Sequence, residues 1–161
     1  ADDIGKLITI MENFKICFPE LNFRQLRLGG RKLPEHLLII NNSNHYVIGF
    51  LQIGGSSFTS RLTNLNELVI SYPKYKFNLF RDIREPPING KVGKLRIEQL
   101  NNSKNGQFMF MNQENRVNFE LIYNLIIDIQ EQDLDINLTE VIPFLPDYFQ
   151  SYWLISLLDF N

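Results

Sequence analysis

The stretch that decides the fold runs Leu37-Leu38-Ile39-Ile40-Asn41-Asn42-Ser43-Asn44-His45-Tyr46-Val47-Ile48-Gly49-Phe50-Leu51-Gln52-Ile53. Two apolar segments, 37–40 and 46–53, flank the polar tetrad 41–44, and this pattern is typical of a β-hairpin. Both arms are apolar at consecutive positions, which indicates a sheet covered on both of its faces.

Helical and extended patterns alternate on either side of this hairpin. Apolar residues at helical spacing predict helices over residues 2–16, 58–72, 92–100 and 117–129, and the patterns of residues 76–81 and 107–111 predict strands. The strand centres near Gly49, Leu79 and Met109 recur about every 30 residues, the length of a right-handed βαβ crossover. The sequence therefore predicts an α/β fold in the order α-β-β-α-β-α-β-α plus C-terminal helices. Its sheet is mixed and mostly parallel, with helices on both faces.

Length and composition bound the class of protein. With 161 residues, 44% of them hydrophobic, the chain is the size of one folded α/β domain. No apolar run reaches the roughly 20 residues of a membrane span, and Asp2, Asp3 and Lys6 are charged where a secretory signal is apolar. We therefore expect a cytoplasmic protein. The absent initiator Met suggests a piece of a longer chain.

Candidate ligand-binding residues follow from a general rule of open α/β sheets, in which ligands bind beyond the carboxyl ends of the parallel strands. Backbone N–H groups at a helix start and arginine guanidiniums both suit phosphate or carboxylate groups. The sequence thus predicts an anion site at one sheet edge, formed by Gly54, Gly55, Ser56, Ser57, Arg81, Arg84 and Arg116. The alternative is structural: a turn with a helix cap, and arginines paired with neighbouring Asp82 and Glu85.

Catalytic and metal chemistry finds little support in the sequence. Cys17, His36 and His45 are the only cysteine and histidines, and their positions predict neither a zinc site nor an activated nucleophile. We expect no catalytic residue, no metal and no cofactor. An enzyme acting on a small phosphorylated or carboxylated substrate stays as the alternative, with Asp82 as its acid–base candidate.

A basic segment, residues 23–32, offers candidate contacts to nucleic acid. Its cations are Arg24, Arg27, Arg31 and Lys32, and Gly29 and Gly30 indicate a loop. A net charge of -2 gives no general attraction to nucleic acid, so the alternative is a solvated loop.

The C-terminal tail, residues 137–161, is rich in aromatic residues. It predicts two short helices, the second beginning near Asp147. This helix either seals the core or contacts a protein partner or a missing domain. The partner interface would consist of Tyr148, Phe149, Tyr152 and Trp153.

One resemblance bears on function. The order helix, hairpin, helix, strand over residues 2–81 resembles the core of restriction-endonuclease-like PD-(D/E)xK nucleases. In that family a carboxylate and an E-x-K triplet on the hairpin bind the metal, whereas residues 48–53 here contain neither an acid nor a lysine. The resemblance implies an inactive relative that retains a binding or scaffolding role.

Together these features predict a non-catalytic binding or accessory domain of a larger cytosolic assembly.

Overall fold

The computed structural model describes residues 2–25, 28, 32–131, 137–145 and 153–158. The strands are β1 (Leu21–Arg24), β2 (Glu35–Asn41), β3 (Asn44–Phe50), β4 (Lys76–Asp82) and β5 (Gly106–Met111). The helices are α1 (Asp3–Cys17), α2 (Gly55–Ser71), α3 (Lys91–Asn102), α4 (Gln113–Gln130), α5 (Leu138–Val141), a 3-10 turn (Ile142–Phe144) and α6 (Trp153–Leu158).

The five strands form one mixed sheet in which they lie side by side in chain order. β1 and β2 pair antiparallel, as do β2 and β3, whereas β3, β4 and β5 are parallel to one another. The α/β class and the mixed sheet are thereby confirmed. β1 was not predicted from the sequence, and its last two residues lie in the segment predicted as a loop. Four residues are too few to establish a period, so pairing with β2 decides this strand.

The central hairpin turns more tightly than its polar tetrad suggests. Asn41 and Asn44 pair with each other as the last rung between β2 and β3, leaving Asn42 and Ser43 as the turn. Asn42 has φ 57, a left-handed conformation that asparagine tolerates better than most residues.

Alternate residues of the strands enter two separate hydrophobic clusters. Ile48 and Phe80 lie in the first cluster with residues of α1 and α4, such as Phe14 and Phe119. Val47, Leu79 and Phe108 lie in the second cluster with residues of α2 and α3, such as Leu62 and Leu100. The two-residue period of a strand places neighbours on opposite faces, which explains why both arms of the hairpin are apolar throughout.

Four apolar residues that helped to predict α3 and α4 are exposed rather than buried. They are Val92, Leu95, Val117 and Leu121. β5 is the last strand of the sheet, so helices beside it have less of the sheet to cover them.

The described part of the C-terminal tail packs into the first cluster. The Trp153 ring lies 4.2 Å from the Phe80 ring, 6.0 Å from Phe119 and 6.3 Å from Phe50, measured between centroids. Leu154 and Leu158 are fully buried. Trp153 is thus placed as a core-sealing residue, while Tyr148, Phe149 and Tyr152 lie outside the described residues. Among the helices that the structure describes, none combines the length and apolar character needed to cross a membrane.

Candidate functional site at the carboxyl ends of the parallel strands

The segments that follow β3, β4 and β5 lie at a common edge of the sheet, because these three strands are parallel. Gln52, just beyond β3, accepts a hydrogen bond from the Asp82 backbone N–H at the end of β4, with a length of 2.9 Å. The same glutamine donates through Nε2 to Asp3 Oδ2 at 3.0 Å, which attaches the start of α1 to this edge.

Arg81 is a buried residue of this edge, with only 1% of its surface exposed. Its Nη1 donates to the carbonyls of Leu51 and Ile53, both at 2.9 Å, and its Nη2 donates to the Pro86 carbonyl at 2.8 Å. Burial lowers the pKa of the guanidinium from its ordinary value. Arg81 therefore fastens the segment after β3 to the segment after β4, and both its Nη atoms are already engaged.

Asp82 lies between two guanidiniums. Arg84 donates from Nε to Asp82 Oδ1 at 3.0 Å and from Nη2 to Oδ2 at 2.8 Å, and Arg116 donates from Nε to Oδ2 at 2.8 Å. The Asp82 side chain is 4% exposed, whereas that of Arg84 is 73% exposed. Hydrogen bonds from Arg84, and then from Arg116, hold the pKa of Asp82 well below its usual range. Asp82 is consequently ionised at neutral pH and points at cations of its own chain.

Arg116, near the start of α4, extends this network toward α1. Its Nη1 and Nη2 donate to the two carboxylate oxygens of Asp3 at 2.7 and 3.1 Å. Nη1 also lies 3.3 Å from Glu120 Oε1, and Glu120 accepts from Lys6 Nζ at 2.7 and 2.9 Å. Asp3 raises the pKa of Arg116, and burial partly opposes that effect.

We call this network the ion-pair edge; its members are Asp3, Lys6, Asp82, Arg84, Arg116 and Glu120. Three carboxylates and three cations bond to one another, so their formal charges cancel. Of the three arginines predicted to meet a ligand, Arg84 and Arg116 are brought together here by Asp82, whereas Arg81 bonds to backbone carbonyls beside the network. Arg116 is largely buried and paired within the chain. Arg84 alone among them is mainly exposed.

Gly54, Gly55, Ser56 and Ser57 form the exposed start of α2, as the sequence suggested. Gly54 occupies the N-cap position without a side-chain cap, and Gly55 has φ 67, which glycine adopts without strain. A Cβ at either glycine would meet no atom of the described residues within 4 Å. The first amide groups of α2 are thus open to an approaching group, next to the backbone segment that Arg81 and Gln52 hold.

A cleft that the sequence did not indicate adjoins the ion-pair edge. Its volume is about 660 Å³, and Asp2, Lys32, Glu35, His36 and Arg61 line it. Arg61 Nη1 donates to the Leu33 carbonyl at 2.8 Å, which places the guanidinium in the wall. The lining residues come from the start of α1, the segment between β1 and β2, the start of β2 and α2, so no single stretch of sequence carries a signal for the cleft.

The other candidate residues lie apart from this edge. Cys17 is half-buried at the end of α1, and burial raises the pKa of its thiol, which disfavours a reactive thiolate. His45 stacks on Tyr75 near the opposite edge. Residues 48–53 cover the end of β3 without an acid or a lysine, and no group of three or more metal-ligating side chains occurs within the described residues.

Of the candidate nucleic-acid contacts, Arg24 is exposed at the end of β1 and Lys32 lines the cleft. Arg27 and Arg31 lie outside the described residues. The four positions therefore stay a prediction.

The chain matches no protein-family model, and a search of curated proteins finds no match either.

Proposed function

We propose that this chain is a non-catalytic binding or accessory domain of a larger cytosolic assembly. Its ligand would be an anionic, phosphate-bearing group bound at the carboxyl ends of β3, β4 and β5. Helices packed against both faces of the sheet would keep this edge rigid. The observation that carries the proposal is the pairing of Asp82 with Arg84 and Arg116.

The non-catalytic part of the proposal follows from the state of Asp82. A general acid must hold a proton near neutral pH, and a general base must face the proton that it removes. Asp82 keeps a lowered pKa, and its oxygens accept bonds from two guanidiniums and from the Arg84 backbone N–H. This arrangement favours a structural carboxylate over an acid–base catalyst.

The anion-binding part depends on what is exposed at the same edge. Arg84 is the exposed cation, and the uncapped start of α2 presents backbone N–H groups together with the positive end of the helix dipole. Gln52 and Asp82 are hydrogen-bonded to each other. Gln52 lies two residues before Gly54, the N-cap of α2, and Asp82 lies two residues before Arg84. The segments that carry the α2 start and Arg84 therefore both begin at this edge of the sheet, and a phosphate group bound at the edge would meet one or both of them.

The proposal can be tested by thermal unfolding with inorganic phosphate, nucleotides and sugar phosphates, followed by calorimetric titration of any compound that stabilises the chain. A compound that binds only the folded state raises the unfolding midpoint in proportion to its occupancy. We expect a stabilising phosphate compound whose affinity falls about tenfold in Arg84→Gln, the loss for one charge-assisted contact. The matched control is Lys15→Gln, which removes one exposed cation near the end of α1, at the far end of that helix from Asp3.

Two results would overturn the proposal. If no phosphate compound binds, or if Arg84→Gln and Lys15→Gln weaken binding equally, the edge is not an anion site. If the wild-type chain converts the stabilising compound into a product, the domain is an enzyme instead.

A further inference from the structure

The amino ends of β3, β4 and β5, opposite the ion-pair edge, carry aromatic rings and lysines. The rings of His45 and Tyr75 are stacked, with centroids 5.1 Å apart and planes inclined by 2°. Tyr75 also stacks on Tyr72 at 5.1 Å and 18°. Tyr75 is therefore the shared member of a three-ring stack, and all three rings are partly exposed.

Lysines surround this stack. Lys74 and Lys76 flank Tyr75 in sequence, and Lys76 Nζ lies 5.3 Å from the centroid of the Tyr46 ring, next to His45. All three lysines of this end, Lys74, Lys76 and Lys104, are exposed. Among the described residues neither Lys74 nor Lys104 makes an ion pair. We call the set His45, Tyr72, Lys74, Tyr75, Lys76 and Lys104 the lysine–aromatic edge.

Asn105 holds the two turns of this edge together. Its Nδ2 group donates to the carbonyls of Val69, Tyr72 and Tyr75 at 3.0 to 3.1 Å. The Asn105 carbonyl accepts from the Phe77 backbone N–H at 2.7 Å. Lys104 is thus kept beside the segment that carries Tyr72, Lys74 and Tyr75, and the edge is preformed rather than assembled by a ligand.

The charge of this edge contrasts with that of the whole chain. The three connections that carry the stack and the lysines, residues 41–46, 72–76 and 101–107, contain no aspartate or glutamate. Three lysines therefore concentrate positive charge in a chain whose net charge is -2. Glu20 lies at the same end of the sheet, directly before Leu21, which pairs with Asn41. The nearest acids along the chain, Glu67 and Glu98, lie within α2 and α3, before these connections begin.

We propose that the lysine–aromatic edge binds single-stranded nucleic acid. Single-strand binding surfaces combine aromatic rings, on which bases stack, with cations that follow the phosphate backbone. A base would stack on one of the outer rings, His45 or Tyr72. Lys74, Lys76 and Lys104 lie around the stack, where they would contact the phosphates. This inference does not depend on the proposed anion site, which uses the other end of the strands.

The test is fluorescence anisotropy of the 161-residue chain at low salt. The probe is a labelled thymidine oligonucleotide of about 12 nucleotides, a length within the usual site sizes. We expect binding that weakens with salt, and at least tenfold weaker affinity in the double variant Lys74→Glu, Lys104→Glu. The slope of log affinity against log salt should also fall by about 1.4 for two lost contacts.

The matched control is the double variant Lys91→Glu, Lys94→Glu, which changes the net charge equally at two exposed lysines of α3. Its affinity should change less than threefold, since a distant charge acts only through the screened field. A second probe of equal phosphate number, in which abasic sites replace the bases, should bind about tenfold more weakly because it cannot stack. An unchanged thermal midpoint in both double variants verifies their folding.

Three outcomes would overturn the inference. The oligonucleotide fails to bind the wild-type chain; the two double variants lose affinity equally; or the abasic probe binds as tightly as the thymidine probe. Binding of phosphatidylserine vesicles without binding of the oligonucleotide would assign the edge to a membrane surface and would also overturn it.

Discussion

The two ends of the parallel strands differ in whether their charged side chains pair with one another. At the carboxyl ends, six charged side chains form ion pairs with one another, and two of the connected groups, Asp82 and Arg116, are largely buried. At the amino ends, exposed lysines surround a ring stack, and no acidic residue lies in the three connections. The first end pairs its charges with one another, whereas Lys74 and Lys104 at the second end make no ion pair within the described residues.

This difference matters because the usual rule for α/β proteins directs attention to the carboxyl ends. There the charged residues support the structure: Arg81 joins two loops, and Arg116 joins α1 to β4. Charged residues that form ion pairs within the chain lose much of their capacity to recruit a ligand. Arg84 is the exposed member at the carboxyl ends, and Lys74 and Lys104 are exposed at the amino ends, so the comparison separates buried structural charge from exposed charge that can bind.

The largest effect should come from Arg81→Met. This change leaves the carbonyls of Leu51, Ile53 and Pro86 without their donor in a buried site, and each unsatisfied group costs about 1 to 3 kcal/mol. We expect the free energy of unfolding to fall by about 4 kcal/mol in urea titration. Arg84→Met, at the exposed arginine, should change it much less; an equal loss in both variants would contradict the structural role of Arg81.

Asp82→Asn should cause the second-largest loss in the free energy of unfolding. The substitution removes the carboxylate that Arg116 and Arg84 share and leaves the largely buried Arg116 guanidinium without one of its three carboxylate partners. Removing one partner of a buried pair costs about 3 kcal/mol, which urea titration can measure. A stability equal to that of the wild type would mean that the ion-pair edge contributes nothing to folding.

Acid should weaken the ion-pair edge in a defined pH window. The pKa values of Asp82 and Asp3 are lowered in the folded chain, so the unfolded chain binds protons first as pH falls. The stability from these carboxylates is present above about pH 4, the ordinary pKa, and is lost below it. Urea titrations between neutral pH and pH 3 should show a steeper loss in the wild type than in Asp82→Asn. Parallel curves would show that Asp82 is not the group responsible.

At the other end, Asn105→Ala tests whether the lysine–aromatic edge is preformed. The change removes the donor to the carbonyls of Val69, Tyr72 and Tyr75, and we expect a loss of about 2 kcal/mol in urea titration. Amide exchange should also accelerate in residues 72–77. The control is Asn102→Ala, an exposed residue at the end of α3, and it should leave both measurements unchanged.

The smallest effect on stability should come from Lys74→Glu combined with Lys104→Glu. Neither lysine makes an ion pair within the described residues, and surface changes of this kind stay within about 0.5 kcal/mol. A larger loss in urea titration would show that these lysines belong to the structure, as the arginines of the ion-pair edge do. The contrast between the two ends would then disappear.

The sequence by itself determined the local elements. Apolar spacing located the four long helices, the hairpin and the two later parallel strands, because period and turn residues are properties of neighbours along the chain. It also identified the segments that meet at the carboxyl ends of those strands. The number of strands was incomplete, since β1 has four residues, and the predicted start of the last helix near Asp147 lies outside the described residues.

The tertiary structure alone decided which charges pair and which remain exposed. Lys6 and Glu120 are bonded although 114 positions separate them in the sequence, and Arg116 and Asp3 are bonded across 113 positions. No pattern of neighbouring residues can predict contacts at such separations. Arg81 and Arg84 have the same side chain three residues apart, yet one is buried among carbonyls and the other faces solvent. The outcome depends on which backbone groups surround each side chain after folding, and packing between distant segments sets those surroundings.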